Sequence, residues 1–453
     1  MYALRRFGII LGLATIKQIL EGLGNPQDRF ECIHVAGTNG KGSIASALAA
    51  ILHASGYKVG LYTSPHLVRF NERIRINNRP ITDENVVASY EAVTGVYHGT
   101  REPTFFEYST AMALHEFGRQ NVDLAVIETG MGGRLDATNV IQPVLAIISN
   151  ISVEHRMYLG NTIAQIATEK GGIIKRRRPV VTGVKQKKAL SVIKGIASKN
   201  EAPLYRLGDQ FRVRRSKEGT FRYHGLDNVW RNMQTGLLGN YQIDNAALVL
   251  AACELLNRNA LNIPLECIRE GLENNHWPGR LEIVSKSPLI LLDGAHNFIA
   301  ARNLGNFLSK NLANQKVTLV VGMLDDKPYA GILRSLLPHC SKVILTRPRI
   351  ERALPPEALF SVAREIVSDI TTIPDVAGAI KYAIDTTSPH DAICIAGSLY
   401  VVGEAKQKRS FCPISALCSK FYPRNINYMP AVKFFAGLDL KQKSPFLDGH
   451  FLY

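Results

Sequence analysis

The run Gly37-Thr38-Asn39-Gly40-Lys41-Gly42-Ser43 is the segment of this chain best equipped for chemistry. Glycines let backbone N–H groups approach phosphate oxygens, and a helix starting directly afterwards presents its positive end to an anion. Lys41 is placed to reach the β- and γ-phosphates of a nucleotide and Ser43 to ligate Mg²⁺, while Thr38, Asn39, Gly40 and Gly42 complete the cradle. The spacing departs from the general phosphate-loop pattern, because Gly37 lies three rather than five residues before Gly40 and Gly42 separates Lys41 from Ser43. A glycine turn without a ligand is the plainer reading, and the apolar strand before and helix after argue against it.

Glu128 closes the apolar run Leu124 to Ile127 and leads into Gly130-Met131-Gly132-Gly133-Arg134-Leu135-Asp136. In a parallel sheet, ligands collect at the carboxyl ends of the strands, where a carboxylate can hold Mg²⁺ beside a nucleotide. An acidic residue there is otherwise an ordinary surface charge, and the glycine-rich run favours the functional reading. His155 follows another apolar run, and Lys170 lies on a helical stretch, Ile163 to Ile174. Each alone reads as an ordinary polar residue. The turn Asp293-Gly294-Ala295-His296-Asn297 again follows an apolar strand; its aspartate suits a ribose or other polar group, or equally the cap of a helix.

Hydrophobic periodicity shows the elements that must hold these groups. The first half alternates short apolar runs with amphipathic stretches, the pattern of a parallel sheet wrapped by helices. Strands are predicted at Ile33 to Ala36, Val59 to Tyr62, Leu124 to Ile127, Val144 to Ile148 and Val180 to Thr182. After the glycine loop, Ile44, Leu48, Ile51 and Leu52 recur at helical spacing, and Gly56 is placed to end that helix. From about residue 288 the alternation restarts, with strands at Leu289 to Leu292, Val317 to Val321, Val343 to Leu345 and Ala392 to Ala396 and helices at Ala300 to Leu312 and Ala377 to Asp385. The fold class is therefore α/β with mainly parallel sheet, a larger domain over 1–285 and a smaller one over 286–405. A tail, 406–453, holds eight Lys/Arg against two Asp/Glu, shows little periodicity, and has no predicted chemistry.

Hydrophobic residues at 46% and charged residues at 20% describe an ordinary globular chain. No apolar run approaches the roughly 18 to 20 residues that span a bilayer. The start, Met1 to Leu13, is too short and glycine-broken for a secretion signal. A cytoplasmic protein with no membrane partner is expected. Seven scattered cysteines, an odd number with no C-x-x-C pair, fit reduced and buried thiols. The net charge of +16 asks for anionic partners. Basic residues are dispersed, and no zinc finger, ribonucleoprotein aromatic motif or basic heptad region accompanies them, so nucleotide phosphates and polycarboxylates are expected rather than nucleic acid. The cluster Lys175-Arg176-Arg177-Arg178 reads equally well as a solvated surface.

Taken together, the motifs resemble the folylpolyglutamate synthase and dihydrofolate synthase family, within the Mur ligase superfamily. The resemblance rests on Phe7 to Leu13, His34 to Ser43, Thr63-Ser64-Pro65-His66-Leu67, Phe106-Glu107, Glu128 to Asn139, Leu159 to Ile163 and Glu169-Lys170-Gly171-Gly172-Ile173. Further on it includes Trp277-Pro278-Gly279-Arg280, Asp293 to Asn297, Asp326-Lys327 and Gly397-Ser398-Leu399-Tyr400. It implies a phosphate-loop-containing Mur-ligase-like domain carrying ATP and folate sites, followed by a Rossmann-like glutamate-ligase domain. By the same resemblance, Ser43, Ser64 and Glu128 bind one Mg²⁺ and His155 a second, while Lys170 is carbamylated and helps place that second ion. Asn245, Arg280 and Asp293 match ATP contacts, with His296 in the same nucleotide-facing turn and, with Lys41 and Lys170, among the catalytic candidates. Ile10, Leu11, Gly12 and Leu13, then Phe105, Phe106 and Glu107, then Leu135, Asp136 and Ala137, match regions around the pterin. Glu154 stands where the family usually has aspartate, and Gly171 where alanine is usual.

The implied activity is an ATP-dependent ligase, a monomer, joining L-glutamate to dihydropteroate, to reduced folates, or to both. The pterin-side matches favour both. A cell-wall Mur ligase carries a nucleotide-sugar domain before the glycine loop, for which the 36 residues ahead of Gly37 are too few. A phosphate-loop kinase or switch needs neither the Asp293–Asn297 turn nor Lys170, and a silent binding protein has no use for Lys41, Glu128, His155 and Lys170 together.

Overall fold

The computed structural model describes residues 10–216 and 219–407, so the tail from 408 onward, with Cys412 and Cys418, lies outside the described residues. The chain divides into two compact units after Glu282.

The first unit is built on eight strands: β1 (Glu31–Ala36), β2 (Val59–Tyr62), β3 (Ile74–Ile76), β4 (Arg79–Pro80), β5 (Leu124–Glu128), β6 (Leu145–Ile148), β7 (Val180–Thr182) and β8 (Leu204–Arg206). They lie in the order β4-β3-β2-β5-β1-β6-β7-β8. All neighbours are parallel except the β2-β3-β4 edge. A central parallel strand is covered on both faces, which is why β1 and β5 are apolar almost throughout rather than alternating. Ile33, Val35, Leu145, Ile147 and Val181 point into one core, shared with the helices Lys41–Ala54 and Asn240–Arg258. Ala36, Ala146, Ile148 and Val180 point into the other, packed by the helices Ile163–Gly171 and Lys187–Lys199. The Lys41–Ala54 helix ends as expected, with Gly56 at φ +91 just past it.

Periodicity did not reveal a small antiparallel sheet of β9 (Arg212–Arg215), β10 (Phe221–His224) and β11 (Val229–Met233). Its strands are short and present Arg212, Arg214, Arg222 and Arg231 to solvent, which dilutes the apolar signal of the buried Phe221, Tyr223, Trp230 and Met233. The hairpin between β10 and β11 is fixed by Glu254 of the Asn240–Arg258 helix, which accepts hydrogen bonds from the backbone N–H groups of Leu226, Asp227 and Asn228 and from Tyr223 Oη.

The second unit holds β12 (Glu282–Lys286), β13 (Leu289–Leu292), β14 (Val317–Val321), β15 (Lys342–Arg347), β16 (Ile370–Asp375) and β17 (Ala392–Ala396) in one sheet, ordered β12-β13-β17-β14-β15-β16. From β13 onward its pairings are parallel, the doubly wound arrangement expected of a Rossmann-like sheet. Cys32, Cys253, Cys267, Cys340 and Cys394 are free thiols, and burial pushes Cys32 up to about 12. Arg176 and Arg177 share Glu201 at 2.8 Å each. Among the described residues no helix is long and apolar enough to cross a membrane.

His34, inside β1, is wholly buried, and burial, reinforced by Lys175, pushes its imidazole down to about 3. An unfolded histidine takes a proton below about pH 6.5, so the unfolded state binds more protons than the folded one between that pH and about 3. Stability contributed by the neutral ring is therefore present above pH 6.5 and lost as pH falls. Urea unfolding at pH 7 and pH 5 should show His34→Gln losing less stability on acidification than the parent chain.

Candidate active site

Sheet order brings the glycine loop, Glu128 and the segment after β6 to one edge. Because β1 lies between β5 and β6, the chain leaving β1 at Gly37 is flanked on both sides. Thr38 N donates to Asn150 O at 2.9 Å, and Asn39 N to Asn150 Oδ1 at 3.1 Å. Ser149 Oγ and Asn150 Nδ2 return hydrogen bonds to Asn39 O at 2.7 and 2.8 Å. Gly37, at φ +145, has no room for a side chain: a Cβ there would lie 1.9 Å from Ser149 Oγ. Gly40, at φ +87, starts the Lys41–Ala54 helix, and its Cβ would meet Asn245 Oδ1 at 2.6 Å.

Two lysines converge on one carbonyl. Lys41 Nζ lies 3.1 Å and Lys170 Nζ 2.9 Å from Gly37 O. Lys170 is 1% exposed, so a charge there needs a partner, and Glu154 supplies one at 2.8 Å. Burial pushes the Lys170 ammonium below the ordinary lysine range, with Lys41 acting in the same direction against the pull of Glu154. Lys41 also lies 4.0 Å from Glu128 Oε1. Glu128 is buried at the end of β5, and its Oε2 accepts a hydrogen bond from Ser64 N at 3.2 Å. Burial pushes this carboxyl above the usual range, opposed by Lys41, the Ser64 N–H, Arg280 and Arg73. Ser43, on the first turn of its helix, takes a hydrogen bond from Gln242 Nε2 at 3.3 Å, and Gln242 in turn holds Asn245 at 2.8 Å.

Among the described residues no group of three His, Cys, Asp or Glu side chains could hold a metal by itself. The donors near the loop are hard oxygens, the hydroxyls of Ser43 and Ser64 and the buried Glu128 carboxylate. That set suits Mg²⁺, which keeps waters and takes substrate phosphate oxygens instead of a full protein cage. His155 stands apart in kind: it is exposed, at φ +46, leading into the short helix Arg156–Leu159.

A Mur ligase middle-domain model matches residues 35–253, and a Mur ligase glutamate-ligase-domain model matches 279–399. The Bacillus subtilis dihydrofolate synthase/folylpolyglutamate synthase is 36% identical over 416 residues, covering 89% of this chain and 96% of that protein. The chain belongs to the dihydrofolate synthase/folylpolyglutamate synthase family. An Escherichia coli FolC structure in complex with DHPP and ADP superposes with a TM-score of 0.83 at 31% identity, over 89% of this chain and 95% of that one. The bifunctional enzyme of Yersinia pestis, complexed with AMPPNP and a Mn ion, gives 0.79 at 32% identity, over 88% and 94%.

The family's expected substrate-side residues fall into one neighbourhood with one exception in kind. Gly12 N donates to Leu135 O at 3.3 Å, which ties the Ile10–Leu13 segment to the glycine-rich loop after β5. Phe106 packs on Gly130 of that loop, and Tyr62, Phe70 and Phe105 extend the aromatic surface, with centroids 6.0–6.1 Å apart in successive pairs Tyr62–Phe106 and Phe70–Phe105. Asp136 and Ala137 are buried. Glu107 differs: its carboxylate accepts Thr104 N at 2.8 Å as a capping box and pairs with Arg101 at 2.6 Å, so it shapes the start of the Phe105–Arg119 helix. In the second unit, Asp293 Oδ1 accepts Ala295 N at 2.9 Å and His296 Nδ1 donates to Gly294 O at 2.7 Å, so both side chains brace their own turn.

Sequence reasoning missed Arg73, which is 2% exposed, donates from Nε to His66 Nδ1 at 2.8 Å and stacks 5.0 Å over Phe105. It also missed Trp277 as a wall of the phosphate loop, where a Cβ on Gly42 would meet its Nε1 at 2.8 Å, and Arg75, 5.1 Å over the same ring. Gln242, which donates to Ser43 Oγ, was given no role from the sequence.

Gly37→Ala should destabilise the fold by about 1–3 kcal/mol through overpacking against Ser149, and calorimetry should show ATP binding lost with it. Full nucleotide affinity in that variant would refute the cradle assignment.

Proposed function

We propose that this chain is an ATP-dependent ligase that joins L-glutamate to the carboxylate of dihydropteroate and to the γ-carboxylate of reduced folates. The observation that carries this reading is the convergence of Lys41 and Lys170 on the Gly37 carbonyl beside the buried Glu128. Family membership narrows a phosphate site of that kind to glutamate ligation. ADP and AMPPNP in the related structures support a nucleotide substrate.

A carboxylate is a poor electrophile. In the proposed reaction it attacks the γ-phosphorus of ATP, ADP leaves, and an acyl phosphate forms. The neutral glutamate amine then adds to the acyl carbon, and the tetrahedral intermediate collapses to the amide as the C–O bond to phosphate breaks, the proton lost from nitrogen leaving with the phosphate. Phosphoryl transfer is mainly positioning and charge neutralisation. Thr38 to Ser43 would hold the triphosphate through backbone N–H groups, and Lys41 would turn from Gly37 O to the β- and γ-phosphates. Arg280 and Asn245 would contact the nucleotide. Bound Mg²⁺ would neutralise phosphate charge, one ion held by Ser43, Ser64 and Glu128 and another by His155.

Carbamylation of Lys170 is part of the proposal. A carbamate forms from the neutral amine and CO₂ with loss of a proton, and the burial that lowers the Lys170 ammonium supports it. Its ion pair with Glu154 at 2.8 Å must open first. Ile10 to Leu13, Phe105, Phe106 and the Leu135–Ala137 segment are proposed to bound the pterin, with Glu107 acting through the helix it caps. A cytoplasmic monomer acting on small molecules completes the reading; the free thiols fit a reducing compartment.

ADP release should require Mg²⁺ and glutamate with dihydropteroate and, separately, with tetrahydrofolate. Turnover with tetrahydrofolate alone would reduce the activity to chain extension, and no glutamate-dependent turnover with either would sink the proposal. Lys41→Ala should lower kcat by about 10²-fold or more with both acceptors. Lys170→Ala should lose activity and regain part of it with small carboxylic acids; full activity unaided would remove the carbamate.

A further inference from the structure

Asp136 lies on the loop proposed to bound the pterin, and a chain of hydrogen bonds runs from its carboxylate into the sheet. Thr138 N and Thr138 Oγ1 donate to Asp136 Oδ1 at 3.1 and 2.5 Å, and Met131 N donates to Oδ2 at 2.8 Å. Thr138 Oγ1 lies 2.8 Å from His34 Nε2. All three side chains are buried: His34 and Thr138 are 0% exposed and Asp136 is 4%. The threonine proton goes to the carboxylate, so the hydroxyl must accept from the ring. That fixes His34 as the Nε2–H tautomer, with Nδ1 an acceptor.

His34 Nδ1 is buried and finds no hydrogen-bond partner among the described residues. An apolar side chain at this place in β1 would leave nothing unsatisfied, so the histidine carries a cost that only its other nitrogen can offset. That nitrogen orients one hydroxyl, and the hydroxyl, free to rotate otherwise, is locked toward Asp136. The clamped carboxylate in turn fixes Met131 and Thr138, the two ends of the loop containing Leu135, whose carbonyl receives the Gly12 N–H.

We propose that His34 is a positioning residue for the acceptor substrate: through Thr138 it sets Asp136 and the loop that meets the pterin, without contributing to nucleotide binding. This rests on the reading of Leu135 to Ala137 as substrate-side.

The test is steady-state kinetics with dihydropteroate varied at saturating ATP and glutamate, then with ATP varied. Thr138→Val, which keeps the side-chain shape, and His34→Leu should each raise KM for dihydropteroate by about tenfold while KM for ATP stays within about twofold. His34→Gln, which retains an N–H near the reach of Nε2, should recover most of the loss. The double variant His34→Leu/Thr138→Val should be no worse than the poorer single, because both break one relay. Thr138→Val decides the matter if His34→Leu does not fold. Unchanged KM for dihydropteroate in Thr138→Val, with Asp136→Asn raising it, would overturn the relay and leave the substrate-side reading standing. Unchanged KM in Asp136→Asn as well would overturn both. Multiplying effects in the double variant would also overturn the relay.

Discussion

A buried ammonium must be answered by buried negative charge or by carbonyl dipoles, and around Gly37 that requirement organises much of the first unit. Lys170 reaches the Gly37 carbonyl from a helix on one face of the sheet, and Lys41 reaches the same oxygen from a helix on the other. Glu154 and Glu128 stand on either side. Removing one partner from such a set leaves an uncompensated charge, which is far more costly than replacing the whole set by apolar groups. The central position of β1 is what allows two helices, the end of β5 and the segment after β6 to meet at one atom.

The loop after β5 links this charge cluster to the proposed acceptor side. Arg134 N donates to Glu169 O at 2.7 Å, Arg134 pairs with the Glu169 side chain at 2.8 Å, and Asn139 Nδ2 bridges Arg134 O and Gly172 O at 3.0 and 3.1 Å. The loop is therefore fastened to the end of the helix that carries Lys170. A shift of that helix would move both the lysine and the loop that carries Asp136. Gly133, whose Cβ would lie 2.8 Å from Glu169 O, marks how closely the two backbones approach.

Elements with unbroken apolar runs were legible in the sequence, because a parallel strand covered on both faces has no solvent face to interrupt it; β2, β7, β13, β14 and β17 have the bounds the residues suggest. Strands that alternate charged and aromatic residues over four or five positions, as in β9 to β11, were not. At the site, the glycine loop and the strand-end Glu128 were readable because backbone geometry and strand ends carry local signals. The Glu154–Lys170 pair, the Arg73–His66 contact and the His34–Thr138 bond join residues on different elements, and nothing in a linear pattern marks which polar side chain a buried one will find. Glu107 illustrates the converse: the spacing Thr104-x-x-Glu107 is a helix-start signature, and the competing family match drew the same residue toward substrate.

Seven consecutive residues look like a self-contained motif, yet the phosphate loop takes its shape from distant chain. Ser149 and Asn150 bond Asn39 across 110 and 111 positions, Lys170 meets Gly37 across 133, and Gln242 reaches Ser43 across 199. A nascent chain leaving the ribosome would thus carry its glycines long before it could hold them in place, and their supports would arrive in sequence, β6 first and the Asn240–Arg258 helix last. Nucleotide would then act as a late ligand of a nearly finished sheet, unable to template the early one.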